Sequence, residues 1–225
     1  MLGNDLSIAL DPARLMMAAG LTPDPWQAAL LRSTAQQQLL LCTRQAGKST
    51  TTAALALYEA IYNPPALVLL LSPSLRQSKE LFAKVLSHYR AMGKPVAARA
   101  ETTLEIELEN GSRIIALPGN EETIRGFSGV RLAVIDEASR VPDALYFSIR
   151  PMLAVSGGRL IALTTPFGKR GFFFDEWEKG GEAWRRVRVT ATDCPRITQA
   201  FLDEERRAMG DGWFLQEYMC DFRDT

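Results

Sequence analysis

Five short runs of apolar or β-branched residues recur along the chain, at 39–43, 66–72, 131–136, 159–164 and 184–190, with mostly helical spacing between them. Strands that alternate with helices pair side by side through helical crossovers, so this order predicts an α/β fold with a mostly parallel sheet covered by helices on both faces. The runs Leu39-Leu40-Leu41 and Leu67-Val68-Leu69-Leu70-Leu71 are apolar without alternation, as strands buried on both sides must be. One stretch departs from this: Leu104, Ile106 and Leu108 alternate with Glu105, Glu107 and Glu109 ahead of Asn110-Gly111. That pattern predicts an antiparallel hairpin between 103 and 117, with one wet face and a two-residue turn. Helical spacing is read at about 25–33, 47–62, 75–91, 142–155 and 171–179, with two more helices in the last thirty residues. Asp193-Cys194-Pro195 interrupts the pattern after the last strand, which divides the chain into a core of residues 1–192 and a small helical lid of residues 193–225.

At 225 residues the chain has room for one large α/β domain and a small appendage. Its 26 Lys and Arg balance 26 Asp and Glu, so affinity for nucleic acid has to come from a local basic surface and not from bulk charge. Cys42, Cys194 and Cys220 show no C-x-x-C spacing and His88 is the only histidine, which argues against a zinc site and fits a reducing compartment. The longest apolar run, Ala66 to Leu71, is far below a membrane span, and no basic region precedes an apolar core at the N-terminus. A soluble cytosolic chain with no membrane partner is the expectation.

The segment Cys42-Thr43-Arg44-Gln45-Ala46-Gly47-Lys48-Ser49-Thr50 follows an apolar strand and opens a helix, the setting that a phosphate-binding loop needs. Backbone N–H groups of such a loop and of the first helical turn point at phosphate, which assigns Thr43, Arg44, Gln45, Ala46, Gly47 and Thr50 to ATP binding. Lys48 would reach the β- and γ-phosphates, and the Ser49 hydroxyl would ligate Mg²⁺. Cys42 stands where the usual pattern has its first glycine, and a plain strand-to-helix turn with an exposed lysine is the alternative reading. Leu132-Ala133-Val134-Ile135-Asp136-Glu137 sets two carboxylates at the carboxyl end of a buried strand, where ligands of open α/β sheets bind. Asp136 is assigned to the Mg²⁺ shell, and Glu137 to orienting and deprotonating the attacking water. Lys48 and Asp136 are 88 residues apart, room for at least one intervening strand, which favours the ASCE/RecA-like branch of P-loop NTPases. The run at 159–164 leads into Thr164-Thr165-Pro166, polar groups at the same sheet edge that could sense the γ-phosphate.

These segments together resemble the large terminase subunit of tailed bacteriophages, specifically its N-terminal packaging ATPase. Four carry the likeness: Cys42 to Ser49 in the form C-x-R-Q-x-G-K-[ST], Ile124-Arg125-Gly126, Val134 to Ala138 with D-E-A, and Leu163-Thr164-Thr165-Pro166. Trp26-Gln27 upstream, and Gln216-Glu217-Tyr218 through Phe222 downstream, extend it over nearly the whole chain. The resemblance implies ATP hydrolysis with Mg²⁺, coupled to movement of double-stranded DNA into a procapsid without sequence readout. It implies the roles given above for Lys48, Ser49, Asp136 and Glu137, a coupling motif at Thr164 and Thr165, and an adenine-side motif at Trp26 and Gln27, with Gln27 on the base. The implied partners are the portal protein, the small terminase subunit and further copies in a homo-oligomeric ring, with a monomer in isolation. The implied setting is the cytoplasm of an infected bacterial host.

A departing γ-phosphoryl group needs an added cation, and two arginines compete for that role. Arg44 would act inside its own loop as a switch; Arg125, 12 residues ahead of Glu137, would be the finger inserted into a neighbour's site. Lys169 and Arg170, then Arg185, Arg186 and Arg188, then Arg76 and Lys79 are the candidate DNA contacts, each cluster being equally an exposed face. Family members continue into an RNase H-like nuclease, whereas this chain stops at Thr225, so an ATPase-domain fragment that does not cut DNA is expected. Two rivals stand beside this reading. A superfamily 2 helicase fragment would lack its second RecA-like domain, and a non-hydrolysing nucleotide-gated assembly module would leave Glu137 without work.

Overall fold

The computed structural model describes residues 2–119, 124 and 126–224. Its helices are α1 (Leu2–Leu10), α2 (Arg14–Ala18), α3 (Pro25–Arg32), α4 (Lys48–Tyr62), α5 (Leu75–Ala91), α6 (Asp143–Ser156), α7 (Gly171–Lys179) and α8 (Gln199–Met219). Its strands are β1 (Gln37–Cys42), β2 (Leu67–Ser72), β3 (Ala98–Glu101), β4 (Glu105–Leu108), β5 (Arg113–Pro118), β6 (Val130–Asp136), β7 (Arg159–Thr164) and β8 (Trp184–Val189). They form one sheet in the order β3-β4-β5-β2-β6-β7-β1-β8. From β5 to β8 all neighbours are parallel; β3 and β4 add on antiparallel. β7 lies between β6, which carries the acidic pair, and β1, which feeds the loop, so it is the added central strand of the ASCE branch.

Burial on both faces follows from the period of two. Leu39 and Leu41 of β1 pack with Leu69, Leu71, Ala133, Ile135 and Ala162 under α6 and α7. Leu40 and Cys42 turn the other way, joining Val68, Leu70, Val134 and Ile161 under α4 and α5. Neither face is left for polar residues, which is why these strands read as unbroken apolar runs. Among the described residues no helix is long and apolar enough to cross a membrane.

The hairpin forms between β4 and β5, with Ile106 and Leu108 buried and the glutamates half-exposed, but its turn is not a two-residue one. The Leu108 N–H donates to Ser112 O at 2.8 Å, so residues 109–111 make a three-residue loop with Gly111 at φ +84°. Asn110 explains the change: its Nδ2 donates to Ala60 O at 2.9 Å and its Oδ1 accepts from the Ser112 N–H at 3.0 Å, tying the loop to α4. Three elements had no sequence forecast, namely α1, α2 and the fully exposed edge strand β3. α8 is two helical segments that meet at Gly210, φ +78°, with a separate apolar cluster of Ala191, Leu202, Phe214 and Tyr218.

His88 sits buried on α5, its Nε2 3.1 Å from Thr50 O on α4. Burial pushes its pKa below the ordinary 6.5, helped by nearby Lys84 and opposed by the Thr50 carbonyl. Below about pH 6.5 the unfolded chain therefore takes up a proton that the folded chain resists, so this contribution to stability is complete above that pH and lost as pH falls. Urea unfolding at about pH 7.5 and about pH 5 should show a larger acid loss for the wild type than for His88→Gln; equal losses would contradict this.

Candidate active site

The loop between β1 and α4 is shaped by two left-handed residues, Gln45 at φ +57° and Gly47 at φ +89°. A side chain at 47 would also collide with Gln27, whose Nε2 lies 2.7 Å from where a Cβ would stand. Gly47 is therefore fixed by backbone conformation and by close approach at once. Lys48 opens α4 but is only 9% exposed. Its Nζ donates to Thr165 Oγ1 at 3.0 Å and to Thr43 O at 3.4 Å, and stands 3.8 Å from Glu137 Oε1. A buried ammonium so lightly partnered, beneath the N–H groups of a helix start, is a ready phosphate receptor.

The acidic pair is brought to the same place by β6. Ser49 Oγ donates to Asp136 Oδ2 at 3.2 Å, and the Glu137 N–H donates to Asp136 Oδ1 at 3.0 Å. Burial, then the neighbouring Glu137 charge, push the Asp136 carboxyl up to about 6, against Lys48 and its two hydrogen bonds. An alcohol and a dry carboxylate, all oxygen donors beside a second carboxylate, fit Mg²⁺. Glu137 itself adopts a left-handed backbone, φ +51°, an uncommon conformation for a residue with a side chain and one found at functional sites. β7 adds the threonines: Thr164 Oγ1 accepts from the Ser139 N–H at 3.3 Å and donates to Thr165 O at 2.8 Å. Thr165 thus touches the loop lysine while Thr164 touches the turn after Glu137.

Lys48, Ser49, Glu137 and Thr165 line an open cleft of about 900 Å³, whose far wall is Ser74, Arg76 and Gln77 at the start of α5, Lys84 further along it, and Arg140. The α5 side of the cleft has no sequence signal beyond Arg76, a candidate DNA contact in the sequence, which lines this cleft. Trp26 packs against the apolar cluster under α4 and α5 and does not line the cleft. Gln27 is buried at 1% exposure, its Oε1 accepting from the Asp24 N–H at 2.7 Å while its amide reaches Gly47. Arg196 closes that side, 2.8 Å from Asp24 and donating to Ala46 O at 3.2 Å. It is a loop contact that sequence reasoning missed, lying 150 residues along the chain from the loop.

Arg44 pairs with Glu217 of α8 at the cleft wall. Arg125 lies outside the described residues. The basic clusters separate: Arg185 donates to Ser33 on one face of β8, whereas Arg186 caps the end of α7 through the carbonyls of Glu176, Trp177 and Gly181 on the other. Lys169 and Arg188 share a second cleft of about 790 Å³ with Asp221 and Asp224, each paired to one of those carboxylates, and Arg170 lies over the Phe167 ring.

A loop lysine, a serine and an acidic pair at the carboxyl ends of strands that flank a central strand are the arrangement of the ASCE/RecA-like class of P-loop folds. The family described as terminase large subunit, T4likevirus-type, N-terminal, matches residues 39–225, and the chain belongs to it. It is 25% identical over 238 residues to the terminase large subunit of Thermus virus P23-45, covering 90% of this chain and 49% of that protein. The chain spans about half the length of the curated relatives it matches. The Thermus phage P74-26 large terminase ATPase domain has the same fold, with a TM-score of 0.79 at 20% identity over 92% of this chain and 97% of that one. The large terminase of another thermophilic bacteriophage, solved in complex with ADP, has a TM-score of 0.72 at 10% identity over 89% of this chain and 54% of that one.

Proposed function

We propose that this chain is the ATP-hydrolysing motor domain of a phage DNA-packaging terminase. The observation that carries this is the convergence of Lys48, Ser49, Asp136, Glu137 and Thr165 on one cleft within a chain of that family. Lys48 and the N–H groups of residues 43–50 would bind the phosphates. Ser49 and Asp136 would hold Mg²⁺, which supplies charge neutralisation at the phosphates when bound. Glu137, half-exposed on the cleft, would orient the attacking water and take its proton. Loss of the third phosphate would be felt at Thr165 through Lys48, and at Thr164 through the turn at Ser139.

Residues 193–225 act as a lid in this reading, since α8 contacts the loop while keeping its own apolar cluster. Double-stranded DNA, gripped by its backbone, the portal protein and the small subunit are the proposed partners, in the host cytoplasm, with Lys169, Arg170 and Arg185 as basic groups on the outer surface. Arg186 is the weakest of the DNA candidates, because its guanidinium is engaged by carbonyls. Arg125 is assigned to a neighbour's site in a working ring. Mixing Arg125→Ala with Glu137→Gln tests this: each is silent alone, and the mixture should regain turnover because one supplies the finger and the other the base. No regain at any ratio, where wild type is active and assembled, would contradict it.

A further inference from the structure

A single residue of α8 makes three contacts with the first two residues of the loop. The Glu217 carbonyl accepts from the Arg44 N–H at 3.1 Å and from Thr43 Oγ1 at 3.1 Å, and its carboxylate pairs with Arg44 Nε. The pair is unequal: the Glu217 side chain is 8% exposed and that of Arg44 is 60%. Packing and a 3.3 Å hydrogen bond from Gln216 Nε2 fix the carboxylate, whereas an exposed arginine has many rotamers. Glu217 is therefore the anchor and Arg44 the group that is oriented.

The contact uses only one edge of the guanidinium. Among the described residues Glu217 is the sole hydrogen-bond partner of the Arg44 side chain, and it engages Nε alone. Both residues line the phosphate cleft. An arginine held through Nε keeps its two terminal nitrogens for a second, charge-assisted fork to phosphate oxygens. Glu217 sits on the helix run that includes Trp213 and Tyr218, so anything that moves this end of α8 moves the support of Arg44.

We propose that Glu217 is a positioning residue for nucleotide recognition: from the C-terminal helix it holds Arg44 by Nε so that the terminal nitrogens meet the γ-phosphate of a bound nucleoside triphosphate. This rests on the nucleotide-site reading above. It makes γ-phosphate recognition depend on α8 as well as on the loop.

Calorimetric titration of ATPγS and of ADP, with Mg²⁺, into wild type, Glu217→Gln, Arg44→Ala and the double variant tests it. Glu217→Gln should weaken ATPγS about tenfold while ADP changes by less than about twofold, since only one charge-assisted contact is lost. In the Arg44→Ala chain the same substitution should change neither affinity further, because Glu217 acts through that arginine. No change, equal weakening of both nucleotides, tighter ATPγS binding, or an undiminished effect without Arg44 would each overturn it. Should Glu217→Gln fail to fold, Arg44→Lys keeps the charge without Nε and should show the same ATPγS-selective loss; wild-type behaviour would overturn the proposal. A wild type that binds neither nucleotide while folded overturns the nucleotide-site reading and this proposal with it. Binding that Lys48→Ala abolishes leaves the site reading standing whatever Glu217 does.

Discussion

Lys48→Ala should abolish measurable nucleotide binding, whereas Glu137→Gln should bind nucleotide as the wild type does and lose turnover. The difference comes from where the two groups sit. Lys48 is nearly enclosed, held by Thr165 and Thr43 beneath the helix start, so in the proposed site its ammonium would be the positive charge that receives phosphate. Its removal leaves the Glu137 and Asp136 carboxylates facing the phosphates without the buried ammonium, and an affinity loss of more than about 100-fold is expected when one partner of an enclosed charge pair is truncated. Glu137 is 26% exposed on the cleft and 3.8 Å from Lys48, so its amide replacement leaves the cradle intact. Losing a general base costs about 10²- to 10⁴-fold in rate. Titration calorimetry and phosphate release distinguish the two, and equal loss of binding in both would contradict the division of roles.

Glu59→Ala should cost about 3–5 kcal/mol of folding stability, the range for breaking a buried ion pair from one side. Glu59 lies at 4% exposure near the far end of α4 from the loop, where its two oxygens meet Arg131 at 2.7 Å and Arg159 at 3.1 Å. Arg159 is itself largely enclosed, 15% exposed, and also donates to Ser33 O at 2.7 Å. Without the carboxylate its charge would stay in the sheet's lower edge with only carbonyls against it. Arg131 is 47% exposed, so Arg131→Ala should cost only about 1 kcal/mol. Urea midpoints for the two variants measure the contrast, and similar values would contradict the part given to the glutamate's burial.

The parts of the fold that the sequence made legible are those where both faces of a strand are buried. β1, β2, β6 and β7 read as apolar runs because the alternate residues of each enter two different clusters. β3 is exposed along its length and carries no apolar signal, so nothing in Ala98–Glu101 marked it. The turn at 109–111 is longer than Asn110-Gly111 implies because Asn110 answers to α4, a contact between residues 50 apart in the chain.

The site divides in the same way. The loop and the acidic pair are each contiguous in sequence, so residue types and spacing mark both as candidates, and β1 and β6 bring them together. Arg196 and Glu217 reach the loop from the far end of the chain, and no local pattern distinguishes them from a solvated face. The cleft wall at Ser74, Gln77 and Arg140 comes from the topology, because β2 lies beside β6 and directs α5 across from the loop.

If this chain completes a hydrolytic nucleotide site it turns over MgATP, and the direct measurement is phosphate release per subunit. It should be followed over a wide range of protein concentration, with and without linear double-stranded DNA, against Glu137→Gln. Turnover above that variant, rising with concentration or DNA, is the predicted result. A folded wild type that releases no more phosphate than Glu137→Gln under every condition would contradict it.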